Sequence, residues 1–193
     1  MAATTGRLAR VSVTVAVLAG GLGSRIGGDK ALVQLGGRPL ITYPLEASAA
    51  AGLDAVIVAK PTTRLPPTTT PLLLEPDEPT HPLLGVITAL QELPAVIALP
   101  CDMPFVSPQA LAALAEMQDD LATLWPGQPF PSLYRRKILP KLLAALEGNQ
   151  SMRSLAAYSS RAQPMASSTD LAPPASINTS DDLAAAEEYL RTR

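Results

Sequence analysis

At 193 residues, 47% hydrophobic and 17% charged, the chain is long and apolar enough to bury its own core and too sparsely charged to be a disordered polyelectrolyte. A formal net charge of -2 excludes the broad basic surface that nucleic-acid or membrane-surface binding uses, so any affinity for phosphate has to be local. One cysteine, Cys101, and one histidine, His81, exclude an intramolecular disulfide and a histidine-built zinc site.

Arg7 and Arg10 ahead of an apolar run outline a secretory leader, but the run from Val11 to Leu18 is short and β-branched and delivers a glycine loop, as a buried strand does. Residues 1–10 then read as a flexible leader, and no stretch reaches the roughly 18 apolar residues that span a membrane. The first strand covers Ser12 to Leu18, and a helix over Pro39 to Ala51 follows the Gly36-Gly37 turn. Ala55 to Ala59 and Pro71 to Leu74 read as strands, a helix runs from Pro82 through Leu90, and Ala95 to Leu99 is a fourth strand. Pro108 opens a helix reaching Met117, Leu121 to Trp125 is a weak strand, and Lys137 to Glu147 and Met152 to Ala157 are helices. Asp181 to Leu190 closes the chain as a helix, with Ser180 as N-cap and two aspartates in its first turn. Alternating strands and helices predict one α/β domain over 1–193, a Rossmann-like three-layer sandwich around a mostly parallel central sheet.

Such sheets bind ligands at the carboxyl ends of their strands. The first strand feeds Leu18-Ala19-Gly20-Gly21-Leu22-Gly23-Ser24-Arg25-Ile26-Gly27-Gly28-Asp29-Lys30-Ala31-Leu32. Its five glycines allow close backbone approach to an anion, and Arg25 and Lys30 add the charge that N–H groups lack. It is not a Walker A loop, since Asp29 separates Gly28 from Lys30 and Ala31 offers no hydroxyl. A dinucleotide fingerprint would need glycine where Ile26 stands. A nucleotide triphosphate is the ligand these residues suit.

The fourth strand ends in Leu99-Pro100-Cys101-Asp102-Met103-Pro104. A carboxylate between two prolines projects at a restricted angle, which suits Mg2+, a cation that needs only one or two carboxylates when phosphates complete its shell. The other reading makes Asp102 a turn residue that caps the next helix. Cys101 reads as a small buried residue, with no base nearby to activate it.

The glycine run resembles the signature of the molybdenum cofactor guanylyltransferases and related small nucleotidyltransferases: Leu-Ala-Gly-Gly, two variable residues, Ser, Arg-Met-Gly, then Asp-Lys-Ala-Leu. Ile26 replaces the Met, and Gly28 stands between Gly27 and Asp29. Cys101-Asp102-Met103-Pro104 resembles the family's Cys-Asp-Met-Pro, and His81-Pro82-Leu83-Leu84-Gly85 its Gly-Pro-Leu-Ala-Gly, with histidine for the first glycine. The family carries an aspartate shortly before that loop, and in Glu75-Pro76-Asp77-Glu78 this role falls to Asp77. Ser176-Ile177-Asn178-Thr179-Ser180-Asp181-Asp182-Leu183 resembles Asn-x-Asn-Thr-Pro-x-Asp-Leu, with Ser176 for Asn and Ser180 for Pro.

The resemblance implies a cytoplasmic enzyme that transfers GMP from GTP to molybdopterin with Mg2+, releasing pyrophosphate, without nucleic acid or membrane. It also leaves room for contact with molybdoenzymes or cofactor-delivery proteins. It implies that Arg25, Lys30 and Asp102 are catalytic, with Asp102 on the metal. Leu18, Ala19, Gly20, Gly21, Gly23, Lys30, Asp77 and Asp102 are the nucleotide-binding residues it implies. Asn178 either contacts the acceptor or shapes the entry to the last helix, and Arg135-Arg136-Lys137 either holds a phosphorylated co-substrate or is a solvated helix start. Two alternatives stand beside this reading: a relative using CTP or another phosphorylated acceptor, and a catalytically silent nucleotide-binding or chaperone-like subunit, suggested by His81 and Ser176.

Overall fold

A computed structural model describes residues 12–21, 29–118, 121–124, 130–152 and 176–192. The leader, Gly23, Arg25 and the helix expected over Met152 to Ala157, save its first residue, lie outside them.

Six strands form one sheet in the order β5-β4-β1-β6-β8-β7, comprising β1 (Thr14–Leu18), β4 (Ala55–Ala59), β5 (Leu72–Leu74), β6 (Ala95–Pro100), β7 (Ala122–Leu124) and β8 (Ser132–Arg135). β5, β4, β1 and β6 run parallel, whereas β8 is antiparallel to both β6 and β7. The expected mostly parallel α/β sheet is therefore present, with an antiparallel pair added at one edge. β1, β4 and β6 read as continuous apolar runs because both faces are covered. Alternate residues explain the two layers. Val15, Val17, Ile57, Ile97 and Leu99 face α1 (Thr42–Ala50) and α3 (Pro108–Glu116). Ala16, Val56, Val58, Val96 and Ala98 face α2 (Pro82–Glu92) and α4 (Leu139–Glu147).

A third, smaller cluster joins Leu35, Leu40, Ile177 and Ala186. It docks α5 (Ser180–Arg191) onto a hairpin of β2 (Gln34–Leu35) and β3 (Arg38–Pro39). The hairpin turns through Gly36 at φ 57° and Gly37 at φ 74°, the left-handed pair that a two-residue turn requires. The Gly36 N–H donates to Glu187 Oε1 at 2.8 Å, tying α5 to the turn.

Strands β2 and β3 were not expected on either side of the Gly36-Gly37 turn, and four further features differ from the sequence expectations. α1 starts at Thr42, because Arg38 and Pro39 are spent on β3 and the Thr42 hydroxyl donates to the Pro39 carbonyl at 2.6 Å. β8 was not expected, and it forms by antiparallel pairing of Ser132–Arg135 with β6. The helix expected from Lys137 is a 3-10 turn over Arg136–Ile138 followed by α4. The N-cap of α5 is Thr179, not Ser180: Thr179 is extended at φ -131°, its Oγ1 accepts from the Asp182 N–H at 3.1 Å, and Asp182 Oδ2 accepts from the Thr179 N–H at 2.9 Å.

Candidate nucleotide site

From β1 the chain crosses first to β4 and β5, then returns to β6 on the other side, so the order reverses at β1. A crevice opens at such a reversal, beyond the carboxyl ends of the strands. Ladder-like hydrogen bonds extend past the strand ends and fix the rim: Ala19 N–H to Val58 O at 2.8 Å, Cys101 N–H to Leu18 O at 3.0 Å, and Glu75 N–H to Ala59 O at 3.0 Å. The resulting cleft is lined by Leu18, Gly20 and Gly21 from the first loop, Lys60 and Glu75 from the β4 and β5 ends, His81 and Gly85 from α2, and Asp102 beside Lys30.

Lys30 is the centre of this arrangement. It opens a 3-10 turn, η1 (Lys30–Leu32), and its Nζ donates to Asp102 Oδ2 at 2.5 Å and to Asn178 Oδ1 at 2.7 Å. Residues 72 and 148 positions away thus converge on one ammonium group. Asp102 does not cap α3, whose N-cap is Ser107, accepting at 3.1 Å from the Ala110 N–H. Asp102 is 7% exposed and its Oδ1 is buried with no hydrogen-bond partner among the described residues. An orphaned buried carboxylate oxygen is costly unless a ligand satisfies it. The donor set fits Mg2+, which takes few carboxylates and fills its shell with water and phosphate oxygens. Among the described residues no group of three or more His, Cys, Asp or Glu side chains converges, so a pre-built protein cage for a metal is absent there.

Cys101 is 3% exposed, and burial, together with the neighbouring Asp102 charge, pushes its thiol up to about 12, so it stays a neutral thiol and packs as a small hydrophobe. His81 is extended at φ -142° and ψ 136°, so the glycine it replaces is not required for backbone geometry. It is not a free loop residue: its Nδ1 accepts from the Leu83 N–H at 3.1 Å as the N-cap of α2, which puts the ring proton on Nε2.

The acid that lines the cleft together with Asp102 is Glu75, not Asp77. Asp77 is exposed, and its main-chain carbonyl accepts from Lys60 Nζ, which reaches on to Thr80 Oγ1 at 3.4 Å. Glu75 is 8% exposed and wedged between two glycines. A Cβ at Gly20 would lie 1.8 Å from its Oε1, and one at Gly85 would lie 3.0 Å from its Oε2. Burial pushes this carboxyl above its ordinary value, and Lys60 opposes that shift in part. The signal that could have identified Glu75 was Gly85, a glycine inside a helix that has no local use for one.

Arg135 and Arg136 do not serve the crevice. They sit at the opposite end of β6: Arg135 pairs with Ala95 and its guanidinium donates to Met117 O at 2.7 Å, while Arg136 Nε donates to Leu90 O at 2.9 Å at the end of α2. Arg136 and Lys137 are exposed and open the turn that leads into α4, as the solvated-helix-start reading expects, and the two arginines also tie the backbone ends of α3 and α2.

The model of the MobA-like NTP transferase domain matches residues 15–164. The molybdenum cofactor guanylyltransferase of Vibrio cholerae is 32% identical over 141 residues, covering 67% of this chain and 69% of that protein. Its namesake in Vibrio atlanticus is 33% identical over 142 residues, covering 68% and 73%. Among solved structures, molybdopterin-guanine dinucleotide biosynthesis protein A of Archaeoglobus fulgidus superposes with a TM-score of 0.70 at 23% identity, over 93% of this chain and 100% of that one. The 2-C-methyl-D-erythritol 4-phosphate cytidylyltransferase of Thermus thermophilus superposes at 0.66 and 20% identity, over 94% and 99%. The two solved structures share the fold, and the family match covers the glycine loop, the Lys30–Asp102 pair and Glu75, which makes this chain a member of the MobA-like nucleotidyltransferase family.

Proposed function

We propose that the chain transfers GMP from GTP to the terminal phosphate of molybdopterin, releasing pyrophosphate. The observation that carries this reading is the Lys30–Asp102 contact at 2.5 Å with Asp102 Oδ1 without a partner among the described residues, a cation and a metal-competent carboxylate beside the Leu18-to-Gly21 backbone. The guanylyl and molybdopterin identities rest on the names of the curated relatives.

In this reading the backbone of Leu18, Ala19, Gly20, Gly21 and Gly23 approaches the nucleotide, and Lys30 with Arg25 neutralises its phosphates. Glu75 takes the place proposed for Asp77, since its carboxylate is the one inside the cleft. Asp102 would hold Mg2+, which offsets the charge on the triphosphate as the leaving group separates. An acceptor phosphate oxygen forms a bond to the α-phosphorus of GTP, the bond to the β-bridging oxygen breaks, and the electron pair departs with pyrophosphate. A phosphate monoester, with a second pKa of about 6, is already ionised near neutral pH, so no side chain has to take a proton. Lys30, held at 17% side-chain exposure, is placed to stabilise charge without a solvent reorganisation step. Asn178, the residue assigned to the acceptor in this reading, is in hydrogen-bond contact with Lys30.

The test is pyrophosphate release from each of the four nucleoside triphosphates, with and without molybdopterin. Release with GTP that depends on molybdopterin is expected. Release with CTP instead would support the cytidylyl alternative, and binding without release would support the silent subunit.

A further inference from the structure

Asn178 lies on an exposed segment, yet its side chain is held by two hydrogen bonds and its main chain by a third. Its Oδ1 accepts from Lys30 Nζ at 2.7 Å and its Nδ2 donates to Ser176 Oγ at 3.0 Å. Its main-chain N–H donates to Asp182 Oδ2 at 2.9 Å. The preceding residue, Ile177, is 1% exposed, and its N–H donates to the Asp102 carbonyl at 2.8 Å. Asp182 is also the carboxylate of the α5 capping box, and the N–H groups of Asn178 and Thr179 together with the Thr179 hydroxyl hold it below its ordinary value, so it remains an anion and keeps accepting. The loop before α5 is thereby braced between the end of β6 and the start of the helix, with the Ile177 side chain packed against Leu35 and Leu40 and the Asn178 side chain on Lys30.

We infer that Asn178 is a positioning residue for Lys30: its amide oxygen holds the ammonium over the cleft without cancelling the charge that a triphosphate needs. The inference rests on the proposed nucleotide reading and departs from an acceptor-only role for Asn178. A lysine on a flexible four-carbon stem otherwise has Asp102 Oδ2 as its partner, and that contact offsets its charge and draws on the carboxylate whose Oδ1 is proposed for the metal. Once a cation shares Asp102, the neutral amide is the tether that remains. The bond from Nδ2 to Ser176 orients the amide so that its oxygen, not its nitrogen, faces Lys30, because a lysine ammonium can only donate. Ser176, which departs from the family pattern, is part of this brace.

The experiment is a double-mutant cycle on binding of Mg2+ with α,β-methylene-GTP, followed by titration calorimetry with no acceptor present. Wild type, Asn178→Ala, Lys30→Ala and the double variant are compared. Asn178→Ala should weaken binding about tenfold, as expected for a lost hydrogen bond to a charged group, and should have no further effect once Lys30 is alanine. Ser176→Ala, which leaves the contact but frees the amide, should show a smaller loss that also vanishes in the Lys30→Ala background. Ser176→Ala decides the matter alone if Asn178→Ala does not fold. Wild-type nucleotide affinity in Asn178→Ala, or losses that simply add in the double variant, would overturn the inference. A wild-type chain that binds no GTP analogue would instead remove the function reading itself, and this inference with it.

Discussion

At the scale of single residues, two carboxylates in one cleft are set to opposite tasks by their surroundings. Asp102 meets an ammonium at 2.5 Å and has one oxygen without a partner among the described residues, whereas Glu75 is wedged against Gly20 and Gly85 with burial working against its charge. Replacing Asp102 by Asn is nearly isosteric and should leave the fold intact while removing most magnesium-dependent turnover. A melting curve and a steady-state assay on the same sample check this, and full activity would show that the carboxylate charge is not used. Glu75→Gln behaves differently. Because the folded-state value of Glu75 is raised, its contribution to stability is present below the ordinary carboxyl range and is lost as pH rises through the folded value. The Gln variant should therefore melt higher than wild type at neutral pH, and the gap should close as the pH is lowered into the acid range. A gap that widens on acidification would contradict the buried-charge assignment.

At the scale of elements, the strongly patterned parts of the sequence were legible and the parts defined by contact were not. β1, β4 and β6 are apolar runs whose burial on both faces leaves little other use for them, and the loops after β1 and β6 carry the glycines and Asp102. β8 escaped notice because Ser132–Arg135 is short and follows a proline-rich stretch, and its strand character comes from pairing with β6. The resemblance points to Asp77 because the family carries an aspartate in this segment, and burial of Glu75 against Gly20 and Gly85 with Asp77 exposed is what distinguishes the two acids. The cap of α5 was displaced by one residue for a similar reason, since Thr179 and Ser180 are equivalent until Asp182 reaches back. Thr179→Ala should cost about 1 kcal/mol, whereas Ser180→Ala should stay within about 0.5 kcal/mol of wild type. Urea unfolding midpoints at unchanged slope would measure both, and equal losses would contradict the capping-box assignment.

At the scale of the whole molecule, the fold brings a glycine loop, a lysine, a lone carboxylate and a C-terminal brace to one rim from elements spread across the chain. α5 is anchored to the β2–β3 hairpin through Leu35, Ile177 and Ala186, so the last helix belongs to the same body as the site. No helix among the described residues is long and apolar enough to cross a membrane. With no activated nucleophile among the described cleft residues and an acceptor that is already ionised, the chemistry proposed is direct displacement at the α-phosphorus, driven by position and charge. Isotope tracing follows that displacement bond by bond. GTP labelled at the α-phosphate, incubated with molybdopterin and Mg2+, should pass its label to the pterin product while a γ-phosphate label leaves as pyrophosphate. Label recovered as GDP and orthophosphate, or α-label on the protein itself, would contradict the direct transfer.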